Sequence, residues 1–224
     1  MTRIAVPCHS FCRNGVLRRE LLDAFADVKF NDGYLRFDED GLIEWLAGCN
    51  AAIVSLETVS EKLLTALPEL KVISNYGVGL DNFDPAAMNR LQVRLGWTAG
   101  VNRLSVAELA LGFAIAGVRH VTALNTDMRG GRRPGQRIGR LLSGRVVGIH
   151  GCGHVGKELV RLLQPFDCKI LACDIVDYGD FYHSFHVTPV GFDELVERSE
   201  VLSLHLPLNE STRDLYDAGV LARL

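Results

Sequence analysis

Short runs rich in valine and isoleucine alternate with helix-period segments along almost the whole chain. Strand-length apolar runs regularly separated by helical ones indicate parallel sheets with helices packed on them, an α/β fold. In the first hundred residues the pattern predicts strands at 4–6, 28–30, 51–54, 72–74 and 93–95. Helices are predicted between them, near 16–25, 42–46, 61–67 and 85–91. Asp84 followed by Pro85 marks the start of the last helix, an acceptor side chain followed by a residue with no N–H to satisfy.

Five such strands in flavodoxin-like order would complete a small domain over residues 1–100. A different pattern follows Gly100. Ser105 and Glu108 have the spacing of a capping box and head a predicted helix running to about Val121. Its apolar residues, among them Val106, Leu109, Phe113, Ile115 and Val118, cover most faces, so the helix belongs between layers or between subunits. Residues 128–144 carry Arg129, Arg132, Arg133, Arg137 and Arg140 among glycines and Pro134 and read as a linker. Strands are then predicted at 146–149, 169–173 and 201–204, the first half only of a Rossmann domain over 101–224. Strand 146–149 would then lie at an unprotected apolar edge.

Composition adds bounds. At roughly 150 residues per domain, 224 residues correspond to about one and a half domains. Hydrophobic residues at 48% and charged ones at 23% predict a packed core. Residues 1–100 hold 10 basic and 13 acidic groups, and 101–224 hold 14 of each. Neither half has the positive field of a nucleic-acid binder. The longest apolar stretch, 104–118, contains Glu108 and is shorter than the ~20 residues of a membrane span. The first residues show no secretory signal. Six cysteines without one read as free thiols, a cytoplasmic pattern. Cys8, His9 and Cys12 lack a second ligand pair at zinc spacing, so no metal is expected.

The chemistry lies at Gly151-Cys-Gly153-His-Val-Gly156, a G-x-G-x-x-G between a predicted strand and a predicted helix. Gly151 permits a tight turn, Gly153 admits a pyrophosphate, and Gly156 allows close packing of helix and strand. The phosphates would meet N–H groups at a helix N-terminus. Asp174 ends the next strand, 23 residues after Gly151. An acid there accepts from the ribose hydroxyls and repels a 2′-phosphate. Ile175 and Val176 follow it, not arginine, so NAD is the expected cofactor ahead of NADP.

Several segments together resemble the NAD-dependent D-isomer-specific 2-hydroxyacid dehydrogenases. They are Ile73-Ser-Asn-Tyr-Gly77-Val-Gly79-Leu-Asp81-Asn82, then Asn102-Arg-Leu-Ser105-Val-Ala-Glu108, then the glycine loop with Asp174. Phe192-Asp-Glu-Leu and Val201-Leu-Ser-Leu-His205-Leu-Pro207-Leu-Asn-Glu-Ser-Thr212 complete the set. The resemblance implies that 1–100 is a substrate domain acting on a small 2-hydroxy or 2-oxo acid. It implies that Val78 and Gly79 present backbone N–H groups to the substrate carboxylate, with Asn82 beside them and Val78 also next to the nicotinamide. It implies that His154 and Val155 touch the pyrophosphate, and that Leu206, Pro207 and Thr212 line the adenine and ribose side. A homodimer through the helix after Ser105 is the family expectation.

The family's catalytic arginine, carboxylate and histidine match no residue of this chain; their segment would follow Leu224. Arg223 lacks the Asn-x-x-Arg-Gly context, and His150, His183, His186 and His205 form no recognisable pair with a carboxylate. Three readings stay open: part of a dehydrogenase, a non-catalytic NAD-binding or interaction protein, or an inactive truncated product.

Overall fold

The structure, a computed structural model, describes residues 2–133 and 137–224. Pro134, in the expected linker, lies outside the described residues. The chain divides into two compact units, Met1–Ala99 and Gly100–Leu224.

Unit 1 contains β1 (Arg3–Val6), α1 (His9–Cys12), α2 (Gly15–Ala24), β2 (Asp27–Phe30), α3 (Glu39–Leu46), β3 (Ala51–Val54), α4 (Glu61–Ala66), β4 (Val72–Asn75), α5 (Pro85–Arg90) and β5 (Arg94–Gly96). The five strands form one parallel sheet in the order β2-β1-β3-β4-β5, the flavodoxin-like order. Parallel strands are covered on both faces, so their side chains are apolar on both. Ala52, Val54 and Ile73 are accordingly buried with Leu42, Leu46, Leu63 and Leu64 of the covering helices. The helix starts are set by side chains. The carboxylate of Asp84 accepts from the Ala87 amide at 2.9 Å ahead of Pro85, a cap worth about 1 kcal/mol. Asn14 and Ser60 cap α2 and α4 in the same way.

Unit 2 contains α6 (Arg103–Val118), α7 (Val121–Arg129), β6 (Val146–His150), α8 (His154–Leu163), a 3-10 turn at Gln164–Phe166, β7 (Lys169–Cys173), α9 (Gly179–Ser184), β8 (Val187–Pro189), α10 (Phe192–Arg198), β9 (Val201–Leu204) and α11 (Ala218–Leu221). Its parallel sheet runs β8-β7-β6-β9. The sequence pattern placed three strands here, with β6 at the edge, and the structure corrects this. The short β8 pairs with β7, and β9 pairs with β6 from Val147 to His150. β6 is therefore interior and nearly fully buried, and β9 is the edge, with Leu204 47% exposed. In dinucleotide-fold numbering the sheet is 3-2-1-4, one strand beyond a first half.

Two helix expectations also change. α6 begins at Arg103, so Ser105 sits inside its first turn, where its hydroxyl donates to the Asn102 carbonyl at 2.9 Å instead of capping. The helix breaks at Arg119 and His120, the latter at φ 55°, and α7 begins after the break. On α6, Ala107, Ala110, Leu111, Ala114 and Val118 pack into the core that contains α8. Leu109 and Phe113 stand 56% and 67% exposed on its other side. Among the described residues no single helix is long and apolar enough to cross a membrane.

Candidate cofactor and anion site

The buried strand β6 delivers the chain into the glycine loop, where the glycines serve different ends. Gly151 has φ 91°, and a Cβ there would lie 2.6 Å from the His205 carbonyl oxygen of the neighbouring strand end. A Cβ on Gly156 would lie 2.3 Å from the Gly151 carbonyl oxygen. Both positions are thus required by the fold itself. Around Gly153 nothing lies within 4 Å of a Cβ. Its bareness serves no internal packing and leaves open space at the N-cap of α8.

That helix starts at His154 with no side-chain cap. The first-turn N–H groups, those of His154, Val155 and Gly156, have no intrahelical acceptor, and the helix dipole makes this end favourable for an anion. A Cβ on Gly100 would lie 2.5 Å from His154 Cγ, so the imidazole packs directly on the Gly100 backbone. Val155 is half-buried against the core.

Asp174 follows β7. Its Oδ2 accepts from the Cys152 amide at 2.6 Å and its Oδ1 from the Val176 amide at 2.9 Å. The carboxylate is thereby fixed at the rim of the loop, half-buried. Ile175 next to it is fully exposed and does not cover it. Burial, followed by the Asp174 charge, pushes the Cys152 thiol up to about 11, so it stays protonated and is no nucleophile near neutral pH. Leu206 Cδ2 lies 3.3 Å from where a Gly151 Cβ would be, over the loop. Thr212 closes a turn of its own: its hydroxyl donates to the Pro207 carbonyl at 2.6 Å and accepts from the Asn209 amide at 3.0 Å. The structure thus gathers Gly151, Gly153, His154, Val155, Gly156, Asp174 and Leu206 at one loop, while Pro207 and Thr212 shape the adjacent turn.

Two histidines near the loop are committed elsewhere. His150 Nδ1 and the Tyr216 hydroxyl lie 2.7 Å apart in a hydrogen bond, and His205 Nε2 is 3.0 Å from Ser203 Oγ. Burial lowers the pKa of both, which keeps them neutral near pH 7. His183 lies in the last turn of α9 and His186 just before β8. Among the described residues no group of three or more His, Cys, Asp or Glu is arranged to hold a metal ion.

Unit 1 leaves a run of backbone amides free after β4. Among the described residues the N–H groups of Gly77, Val78 and Gly79 meet no protein acceptor, whereas the carbonyls of Val78 and Gly79 are used. Trp97 Nε1 donates to the Val78 carbonyl at 3.0 Å, and Asn75 Nδ2 to the Gly79 carbonyl at 2.7 Å. Free amides in a glycine-rich turn are donors available to an anion. Asn82 does not face outward as a bare polar group. Its Nδ2 donates to the carbonyls of Ser55 and Glu57, at 3.2 and 2.7 Å, and so fixes the loop after β3. Asn75 was missed in the sequence: it is buried, its Oδ1 has no partner, and the clue was an amide side chain two residues before Gly77.

The family model of the D-isomer specific 2-hydroxyacid dehydrogenase NAD binding domain matches residues 111–224, just over half of the chain. The chain belongs to the D-isomer specific 2-hydroxyacid dehydrogenase family. It is 30% identical over 189 residues to a hydroxypyruvate reductase of Thermotoga maritima, a match covering 84% of this chain and 61% of that protein. It is 30% identical over 190 residues to a glyoxylate reductase of Korarchaeum cryptofilum, covering 82% and 57%. The solved pyruvate reductase of Chlamydomonas reinhardtii superposes with a TM-score of 0.81 at 25% identity, covering all of this chain and 66% of that one. The chain therefore spans about 60% of the length of these curated relatives. The matched residues include β6, the glycine loop, α8 and Asp174, and the cofactor of this domain family is NAD. The open space at Gly153 and the free first turn of α8 fit its pyrophosphate, and Asp174 fits its ribose.

Proposed function

We propose that this chain supplies the NAD-binding and carboxylate-binding parts of an oxidoreductase that transfers hydride between NAD(H) and a small 2-hydroxy or 2-oxo acid. The observation that carries the reading is Gly153: a bare position with open space around it, at an uncapped helix start, beside a carboxylate held by the Cys152 amide. NAD, when bound, accepts or donates the hydride. The residues of the chain bind and orient. Gly151 and Gly156 hold the loop in shape, and the amides at Gly153, His154 and Val155 receive the pyrophosphate. Asp174 accepts from the adenosine ribose, with Leu206, Pro207 and Thr212 on the adenine side. In the substrate unit, residues 1–100, the amides of Val78 and Gly79 receive the substrate carboxylate, and Asn82 keeps the neighbouring loop in place. Val78 also borders the nicotinamide.

No residue of this chain is assigned the proton-transfer role. His150 and His205 are engaged with Tyr216 and Ser203, and among the described residues neither is hydrogen-bonded to a carboxylate that would orient it as an acid/base. The same observation favours a second reading, a non-catalytic NAD-binding protein on this fold. This proposal includes a cytoplasmic home and, for a complete protein, a homodimer, and the exposed Leu109 and Phe113 of α6 support a subunit contact there.

Calorimetric titration of the chain with NAD and with AMP, followed by NADH oxidation assays with glyoxylate, hydroxypyruvate and pyruvate, tests the proposal. Saturable binding of both nucleotides is expected, without turnover by the chain alone. Absence of NAD binding by folded protein overturns it, and turnover by this chain overturns the assignment of no proton-transfer residue.

A further inference from the structure

Lys157 directly follows the glycine loop, in the first turn of α8, where its amide donates to the Gly153 carbonyl at 3.0 Å. Side chains on a helix lean toward its N-terminus, which here is the glycine loop. Among the described residues Lys157 has no carboxylate within ion-pair distance. Arg161, one turn further along α8, is instead matched to Glu158 at 3.1 Å.

The ammonium has a built seat. Lys157 Nζ lies 3.3 Å from the centroid of the Tyr178 ring and 5.5 Å from that of Phe181. Tyr178 packs edge-on against Tyr182 at 6.1 Å, and Tyr182 is buried in the core, so the seat is backed by the interior of unit 2. An aromatic face attracts a cation electrostatically without cancelling its charge. The half-buried lysine therefore keeps a positive charge that no acid offsets.

This seat belongs to the ribose corner of the cofactor site. Tyr178 lies on the loop that Asp174 opens, four residues after it, and Asp174 is itself tied to the Cys152 amide inside the glycine loop. Both charges act on the same thiol: after burial, Asp174 raises the Cys152 pKa and Lys157 lowers it. With Asp174 alone, a phosphate on the ribose 2′-oxygen would meet only repulsion. A seated ammonium is a point charge suited to that phosphate. We infer that Lys157, on its Tyr178 seat, receives the 2′-phosphate of NADP, so that the site admits NADP as a second dinucleotide while Asp174 still favours NAD. The inference rests on the NAD site proposed above and adds one residue and one ligand to it. The pyrophosphate is the other anion within the loop's province, but it is common to NAD and NADP, so nucleotides with and without each phosphate separate the two targets.

The experiment is calorimetric titration of the chain with AMP, ADP and 2′,5′-ADP, and with NAD and NADP, at one ionic strength because salt screens a partly exposed charge. All five are expected to bind the parent. In Lys157→Met the affinity for 2′,5′-ADP relative to AMP, and for NADP relative to NAD, should fall about tenfold, the worth of one bond to a charged group. Lys157→Arg keeps the charge and should keep most of both ratios. Ratios unchanged in Lys157→Met overturn the inference, as does a parent that binds AMP and NAD but neither 2′-phosphorylated nucleotide. An equal loss for ADP relative to AMP assigns Lys157 to the pyrophosphate and overturns it as well. A folded parent that binds none of the five sinks the NAD site itself, whereas AMP and NAD binding with unchanged ratios sinks only the role of Lys157.

Discussion

The Asp174 carboxylate and the Cys152 amide are joined at 2.6 Å, so the acid that follows β7 is held by the glycine loop. One bond thereby sets both the loop's shape and the direction of the carboxylate. Hydrogen bonds to a charged group contribute about 1.5–3 kcal/mol each. Asp174→Ala is therefore expected to weaken NAD binding by about tenfold to a hundredfold, and Asp174→Ser to reduce the preference for NAD over NADP. Paired NAD and NADP titrations check this; an unchanged NAD affinity in both variants would remove Asp174 from the site.

Gly153 and Gly156 differ in what a methyl group would meet, and their alanine variants should therefore differ in kind. At Gly156 the added carbon collides with the Gly151 carbonyl at 2.3 Å, and overpacking of this sort costs about 1–3 kcal/mol or more. Gly156→Ala should lower the thermal midpoint by several degrees. At Gly153 the carbon enters open space, so Gly153→Ala should melt like the parent yet bind NAD at least about tenfold more weakly. Thermal unfolding beside NAD titration distinguishes them. If Gly153→Ala binds NAD normally, the pyrophosphate does not lie there.

The legible parts of the chain are those where local chemistry and tertiary environment agree. Val146, Val147 and Ile149 form a strand covered on both faces, and the glycine spacing after it is dictated by the two close approaches at Gly151 and Gly156. β8 was not legible, because Val187–Pro189 is three residues long and gains its strand character only by pairing with β7. Without it, β9 read as the third strand of a half-sheet and β6 as an edge. The break at His120 was hidden for a similar reason: no glycine or proline marks it, and a histidine adopts φ 55° there. Ser105 carried a capping signature, yet the helix starts two residues earlier. In the site, residue types were readable but hydrogen-bond partners were not. Asn82 looks like a turn residue in sequence, and only the fold brings Ser55 and Glu57 to it.

That contact makes Asn82 the clasp of the loop 55–57. Asn82→Ala removes two bonds to backbone carbonyls and leaves those carbonyls without a side-chain donor, at a cost of about 1–3 kcal/mol. Faster amide exchange at residues 55–57 and a lower unfolding midpoint are expected. Asn82→Asp should be no better, since a carboxylate opposite two carbonyl oxygens repels them. Exchange rates at 55–57 unchanged from the parent in both variants would show that the loop is held by other contacts.

The buried histidines of unit 2 set a direction for its pH dependence. Burial lowers the pKa of His150, against a smaller opposing pull from Asp174, and burial alone lowers that of His205, each from an ordinary 6.5. In the unfolded chain both bind protons near 6.5, while in the folded protein they do so only at lower pH. Between those values the unfolded state holds more protons, so stability rises with pH there. The contribution is complete above about 6.5 and is lost progressively as pH falls through and below that value. Urea unfolding followed by far-UV circular dichroism from about pH 8 to pH 5 should show declining stability on the acid side. His150→Phe loses the Tyr216 hydrogen bond and should be less stable at pH 8, yet its stability should fall less steeply toward pH 5 than the parent's. His205→Gln should also flatten the slope. Parent-like slopes in both variants would assign the acid sensitivity to carboxylates instead of these imidazoles.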